Sequence, residues 1–196
     1  MIKIWAHECL RVFSDRLISE EDRNQFLEDL LKPQMKESFR RNWKDIVSVE
    51  PLLFASFVPT VYPDNDTSKK PIPDIYCELT DREKMRKTCE DSLIDFNVMN
   101  RQKKMDLVLF TDAIEHVVKI HRVITTEYGH ALLVGVGGSG RKSLTELSTF
   151  VANFQIVHLE IPKGYNFEMW RDDLKTNLYK ELAMEIKNMI FFFSDT

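Results

Sequence analysis

The stretch that most constrains this chain is the glycine-rich segment 135–143, Gly-Val-Gly-Gly-Ser-Gly-Arg-Lys-Ser, which follows the apolar run 131–134. An apolar strand entering a glycine-rich turn, with basic and hydroxyl residues opening a helix, is typical of a phosphate-binding loop, or P-loop. Glycine lets the backbone approach a phosphate closely, and free N–H groups at a helix N-terminus attract the anion. A strand-to-helix turn without a ligand is the alternative interpretation.

The loop departs from the pattern G-x-x-x-x-G-K-[ST] in a way that limits its chemistry. With Gly135 and Gly140 as the framing glycines, Arg141 takes the place of the lysine and Lys142 that of the hydroxyl residue. Shifting the pattern by one residue puts Val136 and Arg141 at the glycine positions, where a positive φ would strain them. We therefore adopt the first alignment. It predicts that nucleotide binding is retained and that metal-assisted hydrolysis is poor.

Phosphate binding is assigned to the loop and to the start of the helix that follows it. Arg141 offers a broad planar fork in place of the compact charge of lysine. Ser143 carries the next hydroxyl, about 100° around the helix from Lys142. The predicted nucleotide-binding residues are Gly135, Gly137, Gly138, Ser139, Gly140, Arg141, Lys142 and Ser143.

A second signature of P-loop proteins stands at 189–196, where the apolar run 189–193 is followed by Ser194, Asp195 and Thr196. A carboxylate at the end of such a strand helps to hold Mg²⁺, so Asp195 is the predicted metal ligand. An aspartate in a plain turn is the alternative. ATPases of the AAA+ type carry a glutamate at the next position, and the hydroxyl of Thr196 cannot replace it as a base near neutral pH.

Composition narrows the class of protein. The 196 residues are 43% hydrophobic and 30% charged, which is typical of a soluble globular chain. A formal net charge of -4 argues against a general nucleic-acid surface, and no apolar run approaches the ~18 residues of a membrane span. Three scattered cysteines fit a reducing compartment and offer no metal framework. The five histidines lack ligand spacing and are interpreted as structural, and the pair Lys103-Lys104 as solvated.

Hydrophobic periodicity predicts helices followed by alternating strands and helices. The predicted helices cover 2–17, 19 to about 33, 80 to about 96, 106–125, 141–152 and 167–184. Pro33 is predicted to end or kink the second of them. The predicted strands are 131–134, 155–161 and 189–193. This alternation indicates an α/β fold with a parallel sheet, preceded by a helical part (1–50) and a proline-rich linker (51–79), so that the α/β part covers 80–196.

Several segments resemble the motor ring of dynein heavy chains, specifically axonemal ones. Segment 5–17, W-A-H-E-C-L-R-V-F-S-D-R-L, resembles a helix near the end of a dynein AAA+ module. Segment 107–122 resembles the lead into the fourth module, 133–141 resembles that module's degenerate P-loop, and 194–196 resembles its Walker B strand. Lys142 departs from the glutamine expected in axonemal chains.

The resemblance implies a helical small-subdomain segment of the third AAA+ module and a partial P-loop sheet, strands 1–3 only, of the fourth. It implies a parent protein that is an ATP-driven, minus-end-directed microtubule motor in the axoneme of cilia or flagella. ATP or ADP and Mg²⁺ are the implied cofactors. Neighbouring AAA+ modules, dynein intermediate and light chains and microtubules are the implied partners, with no nucleic acid and no membrane. Residues 107–110 would border the adenine pocket, although apolar packing explains them equally well.

Two other interpretations remain open. One is a free-standing P-loop nucleotide-binding enzyme, which would need a complete Walker lysine and further catalytic residues. The other is a truncated, inactive product. The strand order implied by the resemblance puts a further strand between 131–134 and 189–193. We therefore expect the chain alone to bind ATP poorly, because its sheet is incomplete.

Overall fold

A computed structural model describes residues 1–58, 75–159, 161–184 and 188–194. Their contacts divide them into two units. The first unit consists of residues 1–56 and 75–82, and the second contains Phe57, Val58 and the described residues from Glu83 onward. The predicted boundaries at 50 and 79 stay a prediction.

The first unit is mainly helical. Ser19 caps its second helix by accepting a hydrogen bond from the Asp22 backbone N–H at 3.0 Å, as its position before three acidic residues predicts. The helices are α1 (Ile2–Cys9), α2 (Glu20–Gln25), α3 (Lys32–Phe39) and α4 (Trp43–Ile46), with π-helical stretches at Leu10–Ser14 and Phe26–Leu31. Strands β1 (Phe54–Ala55) and β2 (Cys77–Glu78) form an antiparallel pair.

The core of the first unit surrounds a buried histidine. The Nδ1 atom of His7 lies 3.0 Å from the Leu52 carbonyl oxygen, and its Nε2 atom lies 2.7 Å from the Tyr76 hydroxyl. Its imidazole also packs against the ring of Phe54, with 4.9 Å between the ring centroids. The buried apolar residues of this core are Ala6, Leu31, Met35, Trp43, Val47, Leu52 and Phe54. The histidine therefore connects α1 to the segments that precede β1 and β2.

The second unit combines helices with a small parallel sheet. Its elements are α5 (Arg82–Met99), α6 (Thr111–Thr125), α7 (Arg141–Val151), β3 (Gln155–Leu159), α8 (Phe167–Met184) and β4 (Met189–Phe193). Strands β3 and β4 pair in parallel, in a register that runs from Gln155 opposite Met189 to Leu159 opposite Phe193. The predicted helices at 141 and 167, the strand 189–193 and the parallel pairing are confirmed.

Helices α6 and α7 form the core of this unit. Val117 and Val118 of α6 and Leu147 of α7 are fully buried. The Ser148 hydroxyl donates to the Leu144 carbonyl at 2.7 Å, so the polar group of this buried side chain is satisfied within its own helix. Helix α7 also contacts β3. The sheet and the start of α7 are thereby held in one unit.

The predicted strand 131–134 is wrong for the described chain. This segment is irregular, and the side chains of Leu132 and Val134 are 89% and 85% exposed. A β-strand requires backbone hydrogen bonds to a neighbouring strand, and 131–134 has no strand partner among the described residues. The parallel sheet therefore has two described strands instead of the expected three.

Three helix predictions also need correction. Helix α6 begins at Thr111 and not at residue 106, because the Asn97 side chain bonds both the N–H and the carbonyl of Met105 and holds the preceding segment outside the helix. The first helix becomes π-helical at Leu10–Ser14 and does not reach residue 17. Pro33 does not end its helix, because it stands in the first turn of α3, where the missing N–H of proline is tolerated.

Candidate functional site

The glycine loop has the positive φ angles and the following helix of the predicted pattern, whereas no strand directly precedes it among the described residues. Gly138 and Gly140 both have a φ of 77°, a conformation that residues with side chains rarely adopt. Val136 and Arg141, the glycine positions of the shifted alignment, are not among the residues with positive φ. Of the two framing glycines Gly140 has a positive φ and Gly135 does not, so the choice between the two alignments stays a prediction.

The loop leads directly into α7. Gly140 is the residue that precedes this helix, and its carbonyl accepts the first helical hydrogen bond from the Leu144 N–H at 2.8 Å. The first N–H groups of a helix have no acceptor within it, and residues 135–139 are exposed to solvent. Unpaired helical donors thus adjoin an exposed loop. The Leu107 side chain borders it, since its Cδ1 atom lies 4.0 Å from the position of a Cβ atom at Gly140.

Arg141 folds back along the loop. Its guanidinium donates to the Leu133 carbonyl at 3.4 Å, at the long end of the hydrogen-bond range. A Cβ atom at Gly135 would lie 3.2 Å from the Ser139 hydroxyl and 3.6 Å from Cδ of Arg141, so these side chains lie beside Gly135. The charge of Arg141 is therefore beside the loop, where a phosphate would need it.

Lys142 takes a different direction from its neighbour. It lines a cavity of about 950 Å³ beside the C-terminal ends of β3 and β4, together with His158 and Ser194. The structure thus brings residues 135–141 together in the loop and separates the Lys142 side chain from them. Ser143 follows on α7 and is half-buried. Asp195 lies outside the described residues.

The described residues at this position do not fit a magnesium site. In a P-loop the residue after the lysine offers a hydroxyl oxygen to Mg²⁺, whereas the ammonium of Lys142 has no lone pair to donate. Within residues 1–58, 75–159, 161–184 and 188–194, no group of three or more His, Cys, Asp or Glu residues could hold a metal ion. The metal prediction therefore depends on Asp195 alone.

A charged cluster beside the loop was not predicted from the sequence. The Nε2 atom of His158 on β3 lies 3.1 Å from Oε1 of Glu146 on α7, and Lys103 and Lys142 line the same cavity. Burial lowers the pKa of His158, Glu146 raises it, and the two lysines lower it further, so that the net shift is downward. The one sequence signal was the spacing of four residues between Lys142 and Glu146, which puts both on one face of α7.

Lowering the pH is expected to destabilise the second unit through His158. Its pKa in the folded chain lies below the ordinary value of about 6.5, so the unfolded chain binds the proton more readily. The stabilisation is complete above about pH 6.5 and is lost as the pH falls through the lower, folded pKa. Urea unfolding between pH 7.5 and 5 should show a smaller loss for His158→Gln than for the unchanged chain. An equal loss would contradict the shift, and His116→Gln, at an exposed position on α6, is the control.

Comparison with known proteins places this site in a family. The family described as "P-loop containing dynein motor region D4" matches residues 105–196, which include the loop, α7 and the sheet. Dynein axonemal heavy chain 10 of Homo sapiens is 40% identical over 195 residues, and dynein axonemal heavy chain 6 of Homo sapiens is 38% identical over 196. Dynein axonemal heavy chain 1 of Mus musculus is 37% identical over 196 residues. Each alignment covers all of this chain and 4% of the relative.

The match over residues 105–196 and the identity over the whole chain thus indicate a segment of a dynein heavy chain. The chain belongs to the dynein heavy-chain family, and the relatives it matches are axonemal members. Their axonemal identity indicates a location in the cytoskeleton of a cilium or flagellum. Among the described helices, none has the length and apolar character needed to cross a membrane.

Proposed function

We propose that the glycine loop binds ATP or ADP in a structural or regulatory role, with weak or no hydrolysis. The observation that carries this proposal is the positive φ of Gly138 and Gly140. This backbone makes the sharp turn after which the 11-residue helix α7 begins. The first N–H groups of that helix have no acceptor within it and suit an anion. Arg141 adds a positive charge, and a phosphate would compete well with its long hydrogen bond to the Leu133 carbonyl.

Weak hydrolysis is the part of the proposal that rests on missing chemical groups. Lys142 provides no metal-binding oxygen, and Thr196 replaces the glutamate that would activate water. Asp195 stays the predicted ligand of Mg²⁺. The P-loop of this chain would then hold a nucleotide without turning it over at the rate of a working ATPase.

We infer that the setting of this site is the AAA+ motor ring of an axonemal dynein heavy chain. The parent protein would be an ATP-driven, minus-end-directed microtubule motor, with neighbouring AAA+ modules, intermediate and light chains and microtubules as partners. The identity of 37 to 40% with axonemal heavy chains over the whole chain supports this inference. The exposed apolar side chains at 131–136 are consistent with a segment that pairs with further strands in a larger assembly.

Nucleotide binding can be tested on the ¹⁵N-labelled chain by NMR with ADP at millimolar concentration, which suits a weak complex. Saturable shifts of the Gly137, Gly138 and Gly140 amides are expected. Gly140→Val should weaken binding at least about tenfold, because a β-branched residue is strained at a φ of 77° and the loop must rearrange. Phosphate release from ATP should be no faster than for this variant.

Gly164→Val is the matched control for backbone strain. Gly164 has a φ of 91° and, like Gly140, is restricted to conformations that favour glycine, but it lies outside the glycine loop. This variant should keep the amide shifts. Loop amides that do not respond to ADP in the unchanged chain, or an equal loss of response in both variants, would refute the proposal.

A further inference from the structure

The cavity beside the ends of β3 and β4 is lined by two lysines and a histidine, with Asp173 as its described carboxylate. Its volume of about 950 Å³ is large enough for a small polar ligand. Lys142 enters it from the second residue of α7, Lys103 from the turn that follows α5, and His158 from β3. Three separate elements thus bring basic side chains to one space.

Asp173 is the carboxylate that lines this cavity among the described residues, and it already has a partner. Asp173 accepts a hydrogen bond from the Tyr165 hydroxyl at 2.6 Å, and this bond is the leading cause that raises the pKa of Tyr165 to about 12. Glu146 is not among the lining residues and lies 3.1 Å from His158, although its Oε1 accepts no hydrogen bond of good geometry from the described residues. Neither lysine takes part in a salt bridge with the described part of the chain. Within the described part of the chain, both ammonium groups therefore remain available to a ligand.

The chemistry of the cluster selects an anion and disfavours a cation. Two ammonium groups offer donors only, and a protonated imidazole adds two more. Phosphate oxygens accept charge-assisted hydrogen bonds from such groups, at roughly twice the strength of neutral ones. The position that offers a hydroxyl to Mg²⁺ in the usual P-loop pattern here holds one of the cations, Lys142.

We propose that this cavity is a phosphate site, distinct from the glycine loop, in which Lys103, Lys142 and protonated His158 bind a phosphate group without a metal ion. The phosphate could be free, or it could be the terminal phosphate of a nucleotide held by the loop. Only the nucleotide as source rests on the function proposed above.

Binding at this site is coupled to protonation. An anion between the lysines offsets the charges that disfavour protonated His158, and so raises its pKa. Among the described residues, the charged groups that act on the imidazole are Glu146 and Lys142 from α7 and Lys103 from the turn after α5. Tyr165 and Asp173 also line the cavity. A phosphate should therefore bind more tightly at pH 6 than at pH 8.

The test is an NMR titration of the whole chain with pyrophosphate in the presence of EDTA, at pH 6.0 and pH 8.0. The His158 ring signals should shift saturably, and its pKa should rise when pyrophosphate is bound. Lys103→Gln and Lys142→Gln should each weaken binding about tenfold, as expected for the loss of one hydrogen bond between charged groups. Lys104→Gln, beside Lys103 but outside the cavity lining, should bind like the unchanged chain. Thermal unfolding confirms that each variant is folded.

Further titrations distinguish the two sources of the phosphate and test the phosphate site separately from the nucleotide proposal. Shifts of the His158 ring signals with ATP but not with ADP would identify the terminal phosphate of a nucleotide as the ligand. Shifts with inorganic phosphate alone would identify a free anion. Either result supports the site. Pyrophosphate binding that persists in Gly140→Val would show that the site is separate from the loop. Loop amides that respond to ADP while His158 ignores pyrophosphate would overturn the phosphate site and leave the nucleotide proposal standing. Tighter pyrophosphate binding with Mg²⁺, or equal weakening by Lys104→Gln, would also overturn it.

Discussion

Leu147→Ala is expected to destabilise the second unit by about 3 kcal/mol. The leucine side chain is fully buried in α7, where α6 packs against this helix, and its truncation removes apolar contacts and leaves a cavity. Hydrogen exchange of the α6 and α7 amides, followed by NMR, measures the loss in this unit directly. The free energy of opening for the slowest of these amides should fall by that amount.

Leu132→Ala makes the same change of side chain at a position that is 89% exposed. Its effect should stay within about 0.5 kcal/mol, as for most surface substitutions. A loss similar to that of Leu147→Ala would mean that segment 131–134 is packed in this chain, contrary to the structure. A negligible loss at Leu147 would contradict the described core.

His7→Ala is expected to cost the first unit about 3 kcal/mol. The substitution removes hydrogen bonds to the Leu52 carbonyl and the Tyr76 hydroxyl, leaves buried polar groups without their partner, and opens a cavity beside Phe54. Hydrogen exchange of the α1 and α3 amides gives the measurement. His116→Ala removes an exposed imidazole that bonds only the carbonyl one turn earlier among the described residues, and should change little. Equal effects of the two substitutions would refute the central role of His7.

Regular elements with strong local signals were predictable from the sequence. Helices α7 and α8 and strand β4 agree with the pattern because their apolar spacing and their flanking breakers point to the same structure. The segment 131–134 has an equally clear apolar signal, but a strand depends on hydrogen bonds to neighbours that its own residues do not encode. The start of α6 depends on Asn97, whose bonds to Met105 cross eight residues. The helix propensities of the residues near the start of α6 do not predict that contact.

The candidate site was likewise predictable only in part. The positive φ of Gly138 and Gly140 was predictable, because glycine is the residue that such a turn requires. Adjacent letters in the sequence suggested that Arg141 and Lys142 act together, whereas a step of about 100° on a helix sends their side chains to different places. The sequence analysis interpreted His158 as structural and Lys103 as solvated, because only the tertiary fold brings them to the same cavity as Lys142.

The exposed side chains before the glycine loop have a consequence for handling this chain. Leu132, Val134 and Val136 alternate along an uncharged stretch and are 80 to 89% exposed. Such a stretch offers unpaired backbone groups and apolar side chains to any other copy of the molecule, which favours intermolecular β-structure at high concentration. Aggregation during expression or storage should therefore begin here, and a lysine in place of Val134 should slow it.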